Sequence, residues 1–159
     1  MSSDAALLAN LLELYCHDLS EVFPVELGPD GRFGYEKLPL YWSEPDERFP
    51  FLIRAGGKPV GFVLVTRGSP ATDAPDVLDI AEFFVLRRYR RGGCGRQAAT
   101  LLWNRMAGRW IVRVSEGNQH GLLFWESTIN AYTRGQFTKG VRAGSPHDWH
   151  DFSFTTARV

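Results

Sequence analysis

A strand, a glycine-rich turn and a helix follow one another between residues 77 and 108, and this order restricts the possible folds of the chain most strongly. VLDIAEFFVL at 77–86 has the composition of a buried strand. The next ten residues, RRYRRGGCGR, contain five arginines and three glycines. Apolar residues then recur at helical spacing from Cys94 to a stop at Gly108. Because the first turn of a helix presents unpaired N–H groups, this arrangement predicts a site for an anion.

The charge distribution also indicates a small anionic ligand. Residues 85–113 hold eight arginines and no acid, whereas residues 1–50 hold ten acids and three bases. Proteins that bind duplex nucleic acid are usually basic as a whole, but this chain has a net charge of zero and a pI near 6.9. The narrow basic stretch therefore predicts one small anion, and no nucleic acid, as a partner.

Length and composition predict one globular domain over residues 1–159. Of the 159 residues 44% are hydrophobic and 23% charged, and no apolar run approaches the roughly 20 residues that cross a bilayer. The first residues, MSSDAALLANLLELY, lack the basic start and the cleavage site of a secretion signal, so we expect a cytoplasmic protein with no membrane partner. The two cysteines, Cys16 and Cys94, lie far apart in sequence, so we expect no disulfide framework. We also expect no metal site at His147 and His150, because no predicted helix supports that pair.

The apolar pattern predicts an α/β fold with a mixed sheet. The predicted elements are a helix at 4–19, a hairpin at 51–55 and 60–66, a strand at 77–86, a helix ending at 108, a strand at 110–114, a helix at 118–134, and strands at 136–142 and 149–155. Prolines and glycines between residues 24 and 50 predict a long excursion with a short helical piece at 38–42. Strands and helices in this order indicate one sheet with flanking helices.

Two other phosphate-binding loops fit the glycines less well. A Walker A loop needs a lysine directly after its last glycine, and none follows here. The dinucleotide fingerprint is present as Gly93, Gly95 and Ala98, with Glu116 in place for a ribose contact. However, RRYRR separates the strand from the glycines, and only 43 residues follow Glu116, too few for the rest of that fold. The dinucleotide site is therefore the less favoured alternative.

The stretch VLRRYRRGGCGRQAATLLW resembles motif A of the GNAT N-acetyltransferases. That motif follows a strand with (Gln or Arg)-x-x-Gly-x-(Gly or Ala), met here by Arg90, Gly93 and Gly95. The resemblance covers residues 51–137 and includes Asn118 and, at the family's spacing, Phe124 and Trp125. It implies the GNAT fold, a mixed, mostly antiparallel central sheet with flanking helices that is splayed around an acetyl-CoA site.

The same resemblance implies acetyl-CoA as cosubstrate and a set of residues that hold it. Its pyrophosphate would lie on the main-chain amides of Arg91, Gly92, Gly93, Cys94, Gly95 and Arg96, while the arginines offset its charge. The main chain of Phe84 and Val85 would bind the pantetheine arm. Arg90, Asn118, Phe124 and Trp125 complete the implied cofactor site.

In the family the catalytic base is usually a carboxylate on the strand before motif A, where this chain has Asp79 and Glu82. Three residues apart, the two point to opposite faces of a regular strand, unless a bulge brings them together. Glu82 is preferred because it is nearer to the expected thioester, and Asp79 stays an alternative.

The catalytic acid is where the sequence departs from the family. The usual tyrosine is replaced by Trp125, whose indole cannot serve as that acid, and the usual small residue before it is Gly121. Tyr132, two helical turns further on, is a candidate substitute. Cys94 occupies a position that is usually an inward apolar side chain, so a small hydrophobic role is expected for it.

The acidic first fifty residues predict a cationic small amine as acceptor, since this part of the family's fold tends to border the acceptor site. A peptide amine is the other possibility, and a homodimer is possible. A non-catalytic module that binds acyl-CoA or another nucleotide is the alternative function.

Overall fold

A six-stranded sheet with helices on both faces forms the protein in the computed structural model, which describes residues 3–157. The helices are α1 (Ser3–Leu19), α2 (Leu40–Ser43), α3 (Cys94–Arg105) and α4 (Gln119–Thr133). The strands are β1 (Arg48–Ala55), β2 (Lys58–Arg67), β3 (Leu78–Val85), β4 (Gly108–Ser115), β5 (Thr138–Arg142) and β6 (Trp149–Thr156). A 3₁₀ turn at Arg87–Tyr89 was not predicted. The α/β fold expected from the sequence is confirmed.

The sheet has the strand order β1-β2-β3-β4-β6-β5. Between residues 3 and 157 only β3 and β4 pair in parallel, and their ladder joins just three residue pairs, Leu78–Ile80 with Trp110–Val112. Beyond Ile80 the two strands separate, because Glu82–Val85 pair with β2 alone and Arg113–Ser115 with β6 alone. We call the space between these two segments the gap. It splays the sheet as the resemblance implied, and a largely antiparallel sheet excludes the dinucleotide-binding fold.

A bulge in β3 decides where its two carboxylates lie. Leu64 faces Glu82 and its neighbour Val65 faces Ile80, so Ala81 is the extra residue on β3. Ile80 and Phe83 both join the hydrophobic cluster on the α3 and α4 face. Asp79 and Glu82 therefore share the opposite face, which is the exception that the sequence had left open.

Two hydrophobic clusters cover the faces of the sheet. The cluster under α3 and α4 is centred on Trp103 and Trp110, whose exposed fractions are both 0%. The cluster under α1 contains Leu8 and Leu12 of the predicted helical stripe together with Phe62, Leu64 and Phe84 of the sheet. This second cluster fixes α1 against β2 and β3 and so determines which helical residues lie beside Glu82.

The segment between α1 and β1 contains the predicted excursion and its short helix. The helix occupies Leu40–Ser43 and β1 begins at Arg48, so the excursion ends at Glu47 rather than at residue 50. The hairpin of β1 and β2 turns at Gly56 and Gly57, which have φ values of 55° and 77°, as a tight two-residue turn requires. Across residues 3–157 no helix has both the length and the apolar character needed to cross a membrane.

Candidate active site

The glycine turn holds a run of main-chain amides without acceptors. Arg91 and Gly93 have left-handed φ values of 65° and 83°, and α3 begins at Cys94 without a side-chain cap. Within the described residues 3–157, the N–H groups of residues 91–96 form no hydrogen bond. Gln97 is the first to bond back to the chain, donating to the Gly93 carbonyl at 2.9 Å. Consecutive unpaired amides at a helix start form a binding site suited to a phosphate group.

Gly95 lets this turn lie against α4. A Cβ added to Gly95 would lie 3.1 Å from Cζ of Phe124, tighter than most side chains tolerate. Phe124 in turn contacts Phe83 of β3, with ring centroids 5.8 Å apart. The predicted cofactor residues Gly95 and Phe124 are therefore in contact, next to β3.

The arginines of the turn are partly neutralised by α1. Arg87 and Arg90 both bond the carboxylate of Asp18, with 2.7 Å between Arg87 Nη2 and Asp18 Oδ1. Partial burial opposes ionisation of Asp18, but the hydrogen bonds from Arg90 and Arg87 outweigh it and lower its pKa. Arg96 donates to Ser127 Oγ at 3.1 Å. In the part of the chain that the structure describes, Arg88, Arg91 and Arg96 form no ion pair.

The edge of β3 that faces the gap is formed by alternate residues. The N–H of Leu86 donates to Val60 of β2 at 2.8 Å. Because main-chain groups alternate in direction along an antiparallel strand, Phe84 also faces β2, while Phe83 and Val85 face the gap. The Val85 carbonyl already accepts from Arg90 Nε at 2.7 Å. Of the two predicted main-chain contributors, the geometry places Val85 at the gap and Phe84 away from it.

The Glu82 carboxylate accepts hydrogen bonds from two tyrosine hydroxyls. Tyr15 of α1 donates to its Oε2, and Tyr35 of the excursion donates to its Oε1 at 2.9 Å. Burial raises the pKa of Glu82, and the two tyrosine hydrogen bonds and nearby Arg113 offset part of that rise. A carboxylate whose pKa lies above its ordinary value is a better proton acceptor, as a catalytic base requires.

Asp79 is held by structural contacts. Its exposed fraction is 0%, and Arg113 of β4 binds both of its oxygens at 2.7 and 3.0 Å. The hydroxyl of Ser69 also donates to it. Arg113 lies over the ring of Trp149 at 5.7 Å. Asp79 thus fixes β3 to β4 where they separate, whereas Glu82 forms no ion pair with any residue among 3–157.

The structure does not bring Tyr132 to the gap. It lies near the end of α4, about 20 Å along the helix from Asn118, and its hydroxyl donates to Asn104 of α3 at 2.9 Å. Its ring packs 4.9 Å from that of Trp103. A tyrosine in these core contacts is too far from the gap to supply the acid.

Trp125 and Asn118 lie beside the gap, where their side chains make packing and helix-capping contacts. Trp125 is 7% exposed and meets Phe83 edge to face, with centroids 4.8 Å apart. Asn118 caps α4, its Oδ1 accepting from the Gly121 N–H at 2.9 Å. A Cβ on Gly121 would lie 2.4 Å from Asn118 Nδ2, which explains the glycine at this position. Cys94, a half-buried free thiol, begins α3.

A cleft of about 420 Å³ opens between α1 and the excursion. Tyr35 lines it, so the cleft adjoins the Glu82 hydrogen bond. Glu13 in its wall accepts the N–H groups of Phe33 and Gly34 at 2.8 and 3.0 Å, which ties the excursion to α1. Asp30 and Arg32 complete its charged lining.

The sequence did not reveal Asp18, Tyr15 or Arg113 as site residues, and it offered Tyr35 only as an aromatic residue that lines an acceptor pocket or packs the loop, not as a partner of Glu82. Tyr15 looked like one residue of an apolar helical stripe, and Tyr35 like one aromatic residue of a loop. Each is brought to its partner by tertiary packing across 34 to 72 positions of sequence. The local pattern carries no signal for such contacts.

Comparisons with known proteins agree with this geometry. A family model described as the acetyltransferase (GNAT) family matches residues 8–128. A search of curated proteins gave no significant match.

Solved structures share the fold at low sequence identity. An acetyltransferase from Thermus thermophilus is 20% identical with a TM-score of 0.66, covering 92% of this chain and 90% of its own. A Brucella melitensis ribosomal-protein-alanine N-acetyltransferase is 17% identical with a TM-score of 0.63, covering 96% and 94%. A Bacillus subtilis acetyltransferase solved in complex with CoA is 10% identical with a TM-score of 0.54, covering 75% and 84%.

Proposed function

This chain belongs to the GNAT acetyltransferase family and is an acetyl-CoA-dependent N-acetyltransferase, and we propose that it acetylates the primary amine of a small cationic molecule with Glu82 as the base. The observation that carries the proposal is that β3 and the turn after it bring two features to the gap. The turn holds the unpaired amides of residues 91–96, and β3 holds the half-buried carboxylate of Glu82, which forms no ion pair among residues 3–157.

The residues present fit acetyl-CoA. Six consecutive amides, from Arg91 to Arg96, offer hydrogen bonds that suit a pyrophosphate, and Arg88, Arg91 and Arg96 form no ion pair among residues 3–157. Phe83 and Val85 direct main-chain groups into the gap, where they would align the pantetheine arm. When bound, the cosubstrate supplies an acetyl thioester, which is an electrophile for amines.

Glu82 prepares the acceptor. An alkyl amine is protonated at neutral pH, and its nitrogen cannot attack a carbonyl until that proton is removed. Glu82 takes this proton, directly or through one water. Its raised pKa improves it as an acceptor, and the two tyrosine bonds keep it ionised enough to act. With Tyr132 distant and Trp125 buried, we assign no side chain as acid, and the leaving thiolate takes its proton from solvent.

Charge balance supports a cationic acceptor. Among residues 3–157, Arg113 is the guanidinium that offsets the charge of Asp79 and Glu82 on this face of β3, so these three groups carry a net charge of −1 when Glu82 is ionised. A buried net charge is costly, and an ammonium group would neutralise it. The cleft beside Tyr35 adds the carboxylates of Glu13 and Asp30 against one arginine.

The proposal is tested by comparing matched acceptors. Putrescine, butylamine and an alanine-initiated pentapeptide are each incubated with acetyl-CoA, and acetylated product is measured by mass spectrometry together with CoA release. We expect a kcat/KM for putrescine about two- to fivefold above that for butylamine, because the second charge is worth a solvent-screened ion pair of up to about 1 kcal/mol. Equal values would contradict recognition of a second positive charge on the acceptor, and acetylation of the peptide alone would move the acceptor class to peptide amines.

The Glu82→Gln variant tests the base. It keeps the shape of the side chain but cannot accept a proton, and we expect kcat/KM at pH 7 to fall about a hundredfold, the usual contribution of a general base. CoA binding by the native protein with no acetylated product from any amine would favour the non-catalytic module instead.

A further inference from the structure

Two tyrosine hydroxyls from distant parts of the chain meet one carboxylate. Tyr15 comes from the middle of α1 and Tyr35 from the excursion, 67 and 47 positions from Glu82. Each hydroxyl uses a different carboxylate oxygen. Since a carboxylate offers about four acceptor positions, two such donors fix its plane and leave the other positions for an incoming group.

The tyrosines are placed to make these bonds. The ring of Tyr15 meets Phe62 and Phe84 edge to face, with centroids 5.6 and 6.0 Å away. Tyr35 is held by its neighbours in the excursion, since Phe33 and Gly34 donate their N–H groups to Glu13 of α1. Both rings are anchored independently of Glu82, so the carboxylate is held by a preformed pair of donors.

Other charged and titratable groups face Glu82 from each element around it. Arg113 lies on β4, and its positive charge lowers the pKa of Glu82. Asp79 lies on the same strand as Glu82, and its negative charge raises that pKa. Cys16 lies on α1 and Tyr41 on α2. The guanidinium carbon of Arg48, from β1, lies 5.6 Å from the centroid of the Tyr41 ring. Among residues 3–157, Tyr15 and Tyr35 are the hydrogen-bond donors that reach its side chain.

Both tyrosines act as donors rather than acids. Burial and the neighbouring Glu82 charge raise the pKa of Tyr15 and of Tyr35 well above the ordinary value. Each hydroxyl therefore keeps its proton over the working pH range and can stabilise a negative charge on Glu82.

We propose that Tyr15 and Tyr35 are positioning residues for the catalytic base, with their two hydroxyls holding the Glu82 carboxylate in its ionised form and in one orientation beside the gap. This inference rests on the proposed function of Glu82. It explains how a half-buried carboxylate under α1 stays available as a base: hydrogen bonds replace the water that partial burial removes.

The first test is the pH profile of kcat/KM for putrescine in Tyr15→Phe and Tyr35→Phe. Each change keeps the ring and removes one bond to the carboxylate. The pKa of Glu82 should then rise, and the acidic limb should move to higher pH by about one unit, because a hydrogen bond to a charged group is worth roughly one unit of pKa. Below the limb kcat/KM should fall about tenfold, and on the plateau it should fall less, because there Glu82 is ionised in every variant and only its orientation is lost. Titration of putrescine itself is the same for every variant and cancels.

Glu13→Ala is the matched control. Glu13 fixes the same part of the excursion as Tyr35 but does not touch Glu82. If Tyr35 served only to anchor the excursion, Tyr35→Phe and Glu13→Ala would both lower activity evenly at all pH values and leave the limb in place. That result would overturn the proposal.

A second measurement needs no substrate. The side-chain carboxyl carbon of Glu82, labelled with ¹³C and assigned by its loss in Glu82→Gln, is titrated by NMR in the native protein and both tyrosine variants. We expect a midpoint about one unit higher in each variant. Unchanged midpoints would refute the positioning role even if Glu82 is the base. If Glu82→Gln retains full activity, the proposed base fails, whatever the tyrosines do to the titration.

Discussion

Gly93 shows how one residue can serve both the backbone and the ligand. Its φ of 83° is a left-handed conformation that most side chains avoid, and a Cβ placed there would meet no atom within 4 Å. The position is therefore open toward the unpaired amides of residues 91–96. A side chain added here would enter the space that we assign to the pyrophosphate.

Gly93→Asp should weaken CoA binding by at least about thirtyfold, or roughly 2 kcal/mol, because a carboxylate would repel the pyrophosphate. Gly93→Asn is the matched control: asparagine has nearly the same size and tolerates left-handed backbone, but it is neutral. We expect it to lose much less affinity in isothermal titration calorimetry with CoA. Equal losses in the two variants would mean that shape, not charge, governs this position, and no loss in either would contradict the loop assignment.

Individual residues were predictable from the sequence to the extent that their roles are local. Gly93 and Gly95 were identified because a glycine pattern between a strand and a helix has a local meaning. Asp18 was not, because nothing near it in sequence shows that α1 ends beside the arginines. The arginine cluster looked as if it needed an external anion, and the structure shows that an internal carboxylate balances part of it.

At the scale of elements, the pair of Arg113 and Asp79 joins β4 to β3 at the point where they separate. The Arg113 side chain is 16% exposed and that of Asp79 is 0% exposed. Breaking a buried pair leaves an uncompensated charge, which usually costs about 3–5 kcal/mol. The same strand carries a solvent-exposed counterpart, Arg109 with Asp76, whose side chains are 54% and 64% exposed.

Arg113→Ala should therefore lower the free energy of unfolding by about 3–5 kcal/mol, whereas Arg109→Ala should lower it by less than about 1 kcal/mol. Urea denaturation followed by tryptophan fluorescence measures both. Similar losses in the two variants would show that burial does not set the value of the Arg113 pair.

The helices and strands were largely predictable, since each has a clear apolar pattern and its bounds differ from the prediction by a few residues. The bulge at Ala81 was not, because it depends on how β3 aligns with β2 and not on β3 itself. That alignment places Asp79 and Glu82 on one face. The pattern of β3 identified both candidate bases but could not decide between them, because the contacts that distinguish them come from α1, the excursion and β4.

At the scale of the molecule, the sheet consists of two three-stranded halves joined by three residue pairs of β3 and β4. Apolar side chains from both halves, such as Val65 and Trp110, also pack together in one hydrophobic cluster. A ligand that binds in the gap and on the turn contacts the weakest part of the backbone ladder. Binding should therefore stabilise the whole fold.

CoA at a hundred times its Kd should raise the free energy of unfolding by about 2.7 kcal/mol, a rise in Tm of roughly 5–10 °C for a chain of this size. Differential scanning calorimetry measures the shift, and Gly93→Asp at the same CoA concentration should show at most about a third of it, since a thirtyfold weaker affinity leaves CoA at only about three times its Kd. Hydrogen exchange should slow more at Phe83 and Val85, which border the gap, than at Val63, which lies inside the β2 and β3 ladder and gains only the global stabilisation. Protection at Val63 alone would place the ligand elsewhere.

The narrow join in the sheet also has a consequence for chain connectivity. Strands β1 to β3 lie within residues 48–85 and strands β4 to β6 within residues 108–156. Over residues 3–157 the chain thus passes from one half-sheet to the other once, by way of α3. The protein is in effect two consecutive segments of sequence, each with its own antiparallel sheet. A gene divided within the exposed turn at residues 91–93 would encode two fragments whose reassembly rebuilds the gap from both, which makes this a natural site for a split enzyme that reports the proximity of fused partners.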